Sequence, residues 1–468
     1  MSLLDRVRGS VHHVPVGCAR GTVVRSVGLL LESIGPPARI GEKCLVHAGL
    51  TRAPIICEVV GFTGERLLLM PFEEVQEIGA GSIVESIGGQ MLVPVGEAML
   101  GRVVSGLGDP IDDCGPLHCE HAYPINGDPP SALSRAKITR ILPLGVRALD
   151  ALVTCGVGQR LGIFAGPGVG KSTLLGMIAR NTQAEINVIG LIGERGREVG
   201  EFVERDLGPE GLKRSVIVVA TGDEPPVMRM RAAQATTAVA EYFRDQGCSV
   251  LLMMDSITRF AWAQREVGLA TGEPPTRNGY TPSVFAALPR LLERAGNSSK
   301  GSITALYTVL VDGDDMDEPV ASAARATLDG HIILSRRLAT MGHYPAVDVL
   351  ESVSRVTTQV CSPEHIIMAQ EIRAALASYR EAEDLINLGA YVSGTNPRID
   401  RAIALRGPIE VLLRQGSHEA SGFEDTVAGM EEILSVPQQI SPQVHGAKLQ
   451  IDPGSWAGSA YGAASAKA

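Results

Sequence analysis

An α/β protein with a mainly parallel sheet, a small N-terminal β-barrel and a C-terminal helical domain is predicted by three features of the sequence. Between about 145 and 350, apolar runs of strand length alternate with helical segments: Arg160-Leu-Gly-Ile-Phe-Ala, Asn187-Val-Ile-Gly-Leu-Ile, Ser215-Val-Ile-Val-Val-Ala, Val250-Leu-Leu-Met-Met and Ile303-Thr-Ala-Leu-Tyr. Strands buried on both faces and separated by helices make a mainly parallel sheet. From about 20 to 95, short β-rich runs are split by glycine, the pattern of a small barrel or sandwich, of which the barrel is expected here. From Pro363 onward helical periodicity dominates.

Taken in order, the barrel is expected within 1–98, the α/β core within 99–360, a helical domain within 361–440 and a low-complexity tail over 441–468. The barrel runs are Gly21-Thr-Val-Val, Lys43-Cys-Leu-Val-His, Ile55-Ile-Cys-Glu-Val-Val and Arg66-Leu-Leu-Leu-Met. The stretch from Gly101 to Asp112 reads as a strand, a turn and an exit. Pro110, Pro116, Pro124, Pro129 and Pro130 then suit a connector. Ser362-Pro363 reads as an N-cap with proline at the first helical position. Ile366, Ile367, Ile372, Leu376, Tyr379, Leu385 and Ile386 follow at helical spacing, and 397–414 and 424–435 read as two further helices.

Composition narrows the function. Apolar residues make up 45% of the 468-residue chain, enough for large cores, and aromatics only 4%, so those cores are aliphatic. Acidic residues outnumber basic ones by 52 to 42, a formal charge of −10, which argues against a dedicated nucleic-acid binder. The eight cysteines are dispersed; Cys114 and Cys119, with His118 and His121 nearby, match no common zinc spacing and read as free thiols in a reducing cytoplasm. No secretory h-region and no membrane-spanning apolar run is visible.

The strongest motif is Ala165-Gly-Pro-Gly-Val-Gly-Lys-Ser-Thr173, lying between a strand and a helix start. The nucleotide-binding set is Gly166, Pro167, Gly168, Val169, Gly170, Lys171, Ser172 and Thr173. Glycines let backbone N–H groups turn inward around phosphate, Lys171 reaches the β and γ phosphates, and the Ser172 hydroxyl suits Mg²⁺. The helix N-terminus adds positive potential beneath the anion. ATP is the substrate this predicts, with Mg²⁺ as the only metal. Val250-Leu-Leu-Met-Met-Asp255 is a buried strand ending in a carboxylate, the second place where Mg²⁺ is held. Glu194, directly after a buried strand in Gly190-Leu-Ile-Gly-Glu-Arg-Gly-Arg197, stands where a carboxylate aligns attacking water; a solvated Glu at a helix start fits the spacing equally. Arg355 reads either as a surface arginine or as an arginine finger, and Tyr344 either as packing or as a stacking partner for adenine.

These motifs resemble those of the flagellar type III protein export ATPases, within the rotary F- and V-type catalytic subunits. The likeness runs from about 20 to 440. It rests on 165–173, Gly-Glu-Arg-Gly-Arg-Glu-Val (193–199), Asp-Ser-Ile-Thr-Arg-Phe-Ala (255–261), Gly-Glu-Pro-Pro (272–275), Gly-Tyr-Thr-Pro-Ser-Val-Phe (279–285), 307–316, 328–336 and 343–350. The resemblance implies a RecA-like core and assigns roles. Glu194 is the catalytic carboxylate, Arg195 and Arg259 lie near the phosphates, Tyr344 packs on adenine, and Arg355 enters the neighbouring subunit's site. One chain carrying both Glu194 and Arg355 suits a homo-oligomer with identical head-to-tail interfaces, and the family implies a homohexamer.

It also implies a cytoplasmic enzyme peripheral to the inner membrane. The partners it implies are a stator-like regulator, a central stalk-like export protein, the export-gate membrane complex and chaperone–substrate complexes. The regulator docks on an N-terminal helix in the family, whereas few residues here precede His12-His13. The rival readings are a virulence-type secretion ATPase, an RNA-translocating hexamer of terminator type and a nucleotide-binding subunit without turnover. The RNA reading needs an aromatic, basic barrel face, and 20–95 holds only Phe62 and Phe72 as aromatics.

Overall fold

Short strands with inward Val, Leu and Cys residues close on themselves near the N-terminus. In the computed structural model, which describes residues 19–435 except 48, 50–52, 76, 132, 134 and 312–314, these are β1 Arg20–Val27, β2 Leu30–Ile34, β3 Lys43–Val46, β4 Ile55–Thr63, β5 Arg66–Pro71 and β6 Ile83–Ser86. They form a closed barrel in the order β1-β2-β5-β4-β3-β6, so the barrel rather than the sandwich is adopted. Val23, Leu31, Cys44, Val46, Cys57, Val59, Leu69 and Val84 fill it. Each Val or Leu among them, fully buried, contributes about 1.5–3 kcal/mol. The N-terminal segment before 19 and the expected tail from 441 lie outside the described residues.

The stretch expected to be a proline-rich connector is more ordered than that reading. After β7 Leu92–Val95 the chain adds β8 Val103–Ser105, and His121–Pro124 forms β9, paired antiparallel with β7. Pro124 closes that strand, a position where the missing N–H is tolerated. β8 pairs in parallel with β12 Ser215–Ala220 and so forms one edge of the main sheet.

The main sheet adds β10 Arg160–Ala165, β11 Ile186–Ile192, β13 Ser249–Asp255, β14 Gly296–Asn297, β15 Ser302–Leu310, β16 Gly330–Leu334 and β17 Val353–Ser354. Its order is β17-β16-β10-β15-β13-β11-β12-β8, parallel throughout except for the edge strand β17 and the short β14. Helix Pro226–Asp245 lies across β11, β12 and β13 on a small-residue face. Its Thr236 and Thr237 hydroxyls donate back to Ala232 and Ala233 carbonyls, so buried polar groups stay satisfied.

The same helix carries the barrel. Leu68, Met70 and Phe72 of the barrel side, Met91 and Val93, and Met228, Met230 and Tyr242 of the helix belong to one apolar cluster. Inside this contact Glu58 of β4 takes both a 2.7 Å bond from Arg231 Nε and a second from Arg231 Nη2; both residues are buried.

Three helices complete the chain: Pro363–Asn387, Pro397–Leu413 and Phe423–Leu434. Ser362 caps the first as expected, accepting from His365 N, and Asn396 caps the second. Ile372, Leu376, Ile409 and Met430 join the three helices to an apolar cluster of the core, and polar bonds add to it: His365 Nε2 meets the Ala151 carbonyl at 2.9 Å, and Arg373 donates to Leu152 O at 2.7 Å.

Candidate active site

Because β10, β15, β13 and β11 run parallel and side by side, the segments that leave β10, β13 and β11 emerge at one carboxyl edge of the sheet, where ligands sit in open α/β sheets. From β10 the chain passes through 166–170 into helix Lys171–Asn181. Gly168 (φ +77°) and Gly170 (φ +89°) hold left-handed conformations that a side chain would strain. A Cβ on Gly170 would also lie 3.5 Å from the Tyr344 ring. β13 delivers Asp255 as its last residue, and β11 delivers Glu194 two residues past Ile192.

Lys171 joins the two carboxylates. Its Nζ donates to Glu194 Oε1 at 3.3 Å and to Asp255 Oδ1. Asp255 is nearly buried and also accepts from Thr308 Oγ1 at 2.7 Å. Burial works against the Lys171 charge, but the Asp255 and Glu194 charges outweigh it and hold the ammonium pKa above its ordinary value. Glu194 is pushed up to about 7, by burial first and by the Asp255 charge second, with Lys171 opposing both. A carboxyl in that range exchanges a proton near neutral pH, as a general base must.

The remaining residues are distributed unevenly. Ser172 stands exposed in the helix's first turn. Tyr344 lies against Gly170 with 45% of its surface free, and its carbonyl accepts from Gln415 N. Arg259 packs beneath Gly193 (φ +74°), where a Cβ would come within 2.9 Å of Arg259 Cβ, and its guanidinium lies 4.9 Å over the Trp262 ring. Its Nε is buried and has no hydrogen-bond partner among the described residues. Arg195 is not gathered into this cluster: its exposed guanidinium engages Glu198 at 3.3 Å.

Arg355 is at the other end of the sheet. It follows β17, which pairs with the amino end of β16, and its N–H donates to Asp329, whose carboxylate holds Arg160, the first residue of β10. The six residues of β10, at about 3.3 Å each, separate it from the chain's own phosphate loop. Its guanidinium is exposed at the sheet edge, donating to the Arg325 carbonyl at 3.2 Å.

The residues present fit Mg²⁺ with nucleotide. Mg²⁺ takes one or two carboxylates and fills its octahedron with water and phosphate oxygens. Asp255 with the Ser172 hydroxyl is such a donor set, and among the described residues no cluster of three His, Cys, Asp or Glu offers a cage for another metal. Thr308 was not among the residues singled out from sequence, although a hydroxyl within a buried strand demands a partner. Gln415 carried no motif signal at all.

Three family models cover most of the chain: the ATP synthase alpha/beta family beta-barrel domain matches 23–88, its nucleotide-binding domain 145–354, and the T3SS EscN ATPase C-terminal domain 361–432. The flagellum-specific ATP synthase of Bacillus subtilis (strain 168) is 52% identical over 416 residues, 88% of this chain and 94% of the relative. The type 3 secretion system ATPase of Sinorhizobium fredii (strain NBRC 101917 / NGR234) is 49% identical, over 89% of this chain and 92% of its own. Among solved structures, the assembled ATPase EscN from the enteropathogenic E. coli type III secretion system superposes with a TM-score of 0.84 at 43% identity, over 89% of this chain and all of EscN. The same ATPase in complex with its central stalk EscO gives 0.83.

Proposed function

The chain is a type III export ATPase of the ATP synthase alpha/beta family, and we propose that it works as a homohexameric ring energising flagellar protein export, at the cytoplasmic face of the inner membrane. The reaction is ATP + H₂O → ADP + phosphate. The observation that carries the mechanism is the Lys171 ammonium shared between Glu194 and Asp255 at the mouth of the phosphate loop.

In this reading the backbone N–H groups of 168–173, past Pro167 which has none, and Lys171 bind the phosphates, and Ser172 and Asp255 would hold Mg²⁺. When bound, the metal neutralises phosphate charge. Glu194 orients the attacking water and takes its proton; its pKa near 7 suits that exchange, and Lys171 favours its ionised form against burial and the Asp255 charge. Tyr344 packs on adenine beside Gly170. Arg259 lies against the Glu194 segment, near the phosphates. Arg195 reaches them only by leaving Glu198. Arg355 cannot serve the phosphate loop of its own chain and serves that of a neighbour, where an arginine finger accelerates transfer on the order of 10³–10⁵-fold.

An assembled relative and a relative bound to a central stalk support self-assembly and a stalk partner for this chain too. A stator-like regulator, the export gate and chaperone–substrate complexes complete the expected set, with chaperone release as the work done. Membrane association then comes through partners, since among the described residues no helix is long and apolar enough to cross a membrane.

The virulence-type reading keeps a footing in the 49% identity to the S. fredii secretion ATPase, against 52% for the B. subtilis flagellar one. The RNA-translocating reading loses ground: Phe72 is buried, leaving Phe62 as the barrel's exposed aromatic among the described residues. Expression in a strain lacking its flagellar export ATPase tests the proposal. Restored motility supports it, and Glu194→Gln is expected to abolish the rescue. Restored effector secretion in an injectisome mutant, without motility, would move the chain to the other branch.

A further inference from the structure

Gln415 lies just past helix Pro397–Leu413, 5% exposed, with its backbone N–H and both side-chain polar atoms hydrogen-bonded. Its backbone N–H donates to the Tyr344 carbonyl at 3.0 Å. Its side-chain Nε2 donates to Gly145 O at 3.0 Å and to Glu419 O at 2.8 Å, while Oε1 accepts from Arg147 N at 2.9 Å. Two carbonyls on one side and an N–H on the other fix the amide's orientation, because the flipped amide would set oxygen against oxygen.

The partners come from three parts of the chain. Gly145 and Arg147 belong to the turn that opens helix Arg147–Leu152, ahead of β10, and the fully buried Asp150 of that helix holds the turn by accepting from Leu144 N and Gly145 N at 2.9 and 2.8 Å. Glu419 belongs to the C-terminal domain. Tyr344 is the ring beside Gly170. Arg147 reinforces the junction, donating from Nε to Leu412 O at 2.8 Å.

We propose that Gln415 is a positioning residue for Tyr344, through which the seating of the C-terminal helices on the 144–147 loop sets the affinity for ATP. The inference rests on the reading that Tyr344 packs on adenine. A side chain bonded on all sides and buried leaves the Tyr344 carbonyl no freedom to shift, so the ring is held where a purine arrives. Loosening Gln415 lets that segment move without touching Lys171, Glu194 or Asp255. The loss then falls on binding common to ground and transition states, which raises KM and spares kcat.

The test is a double-mutant cycle on the full chain, with Gln415→Ala, Tyr344→Ala and both together. ATPase kinetics are taken at a protein concentration where specific activity no longer rises, and ADP affinity is measured by calorimetry. Each single variant is expected to raise KM for ATP and Kd for ADP at least about fivefold with kcat within about twofold, and the second substitution to add less than about twofold to the first. Should Gln415→Ala be insoluble, Gln415→Met, which keeps the length and loses the bonds, is read in the same way. Unchanged KM and Kd in the Gln415 variant, with or without a lowered Tm, would mean a purely structural side chain and overturn the proposal, as would fully additive effects. If Tyr344→Ala itself leaves KM and Kd unchanged, it is the adenine reading that fails.

Discussion

Lys171 Nζ stands 3.3 Å from Glu194 Oε1 while it also donates to Asp255, so the side chain proposed to meet phosphate is in contact with the one proposed to meet water. Arrival of a phosphate oxygen at Lys171 therefore changes the surroundings of both carboxylates together.

Glu194→Gln keeps the shape of the site and removes the base. Its kcat is expected to fall at least about 100-fold, roughly 2.7 kcal/mol of transition-state stabilisation, with ATP binding retained. Single-turnover hydrolysis and equilibrium binding of ATP measure the two separately. A variant with near wild-type turnover would remove Glu194 from the chemistry.

The raised Glu194 pKa gives a pH dependence with a definite sign. The working form is ionised, so kcat/KM should decline as pH falls through about 7, and Glu194→Gln should lack that limb. Stability runs the other way. A carboxyl whose folded pKa is raised by burial contributes stability below its ordinary value near 4.5 and loses it as pH rises through about 7. Denaturation of Glu194→Gln should match wild type in acid and show equal or greater stability at pH 8; a less stable variant at pH 8 would contradict burial as the leading cause.

Arg355→Ala and Glu194→Gln are each expected to be inactive alone. Mixed before assembly, they should regain activity, because an interface that joins the Arg355 of one variant to the Glu194 of the other is complete. Absence of recovery in mixed oligomers, confirmed as mixed by tagged pull-down, would argue that Arg355 does not act across the interface.

Thr308→Val preserves volume and deletes the 2.7 Å bond to Asp255. The Mg²⁺ concentration for half-maximal activity should rise about three- to tenfold, in line with the loss of one hydrogen bond of ordinary net strength, about 0.5–1.5 kcal/mol. An unchanged Mg²⁺ titration would confine Thr308 to packing.

Arg231→Met strands the Glu58 carboxylate in the contact between barrel and helix. The expected destabilisation is about 3–5 kcal/mol, measured by chemical denaturation, and pairing it with Glu58→Leu should recover much of the loss. Equal losses in the single and double variants would show that the pair's charges are not what matters.

Much of this was legible because the chemistry is local. Gly-Lys-Ser after an apolar strand, and Asp255 at the end of another, need only their immediate neighbours to be read, and the parallel strand order brings them together. Glu194 was undecided from spacing, since a helix start explains it too; what distinguishes it is contact with Lys171, a relation between two strands that follow one another in sequence but stand apart in the sheet, with β15 and β13 between them. The stretch 110–130 misled because prolines signal connectors, yet β9 places Pro124 at a strand end where no ladder bond is lost. Gln415 was invisible because each of its bonds runs to a segment remote in sequence or to a backbone carbonyl that any residue supplies.

The apolar cluster that runs from the barrel strands through Met91 and Val93 into helix Pro226–Asp245 makes the two halves a single folding unit. A fragment cut after the barrel would bare Leu68, Met70 and Phe72, and the remaining piece would bare Met228, Met230 and Tyr242 and carry a stranded Arg231 charge. Neither fragment is a closed object. Proteases acting on the native protein should therefore leave barrel and core joined, and a barrel expressed by itself should be sticky.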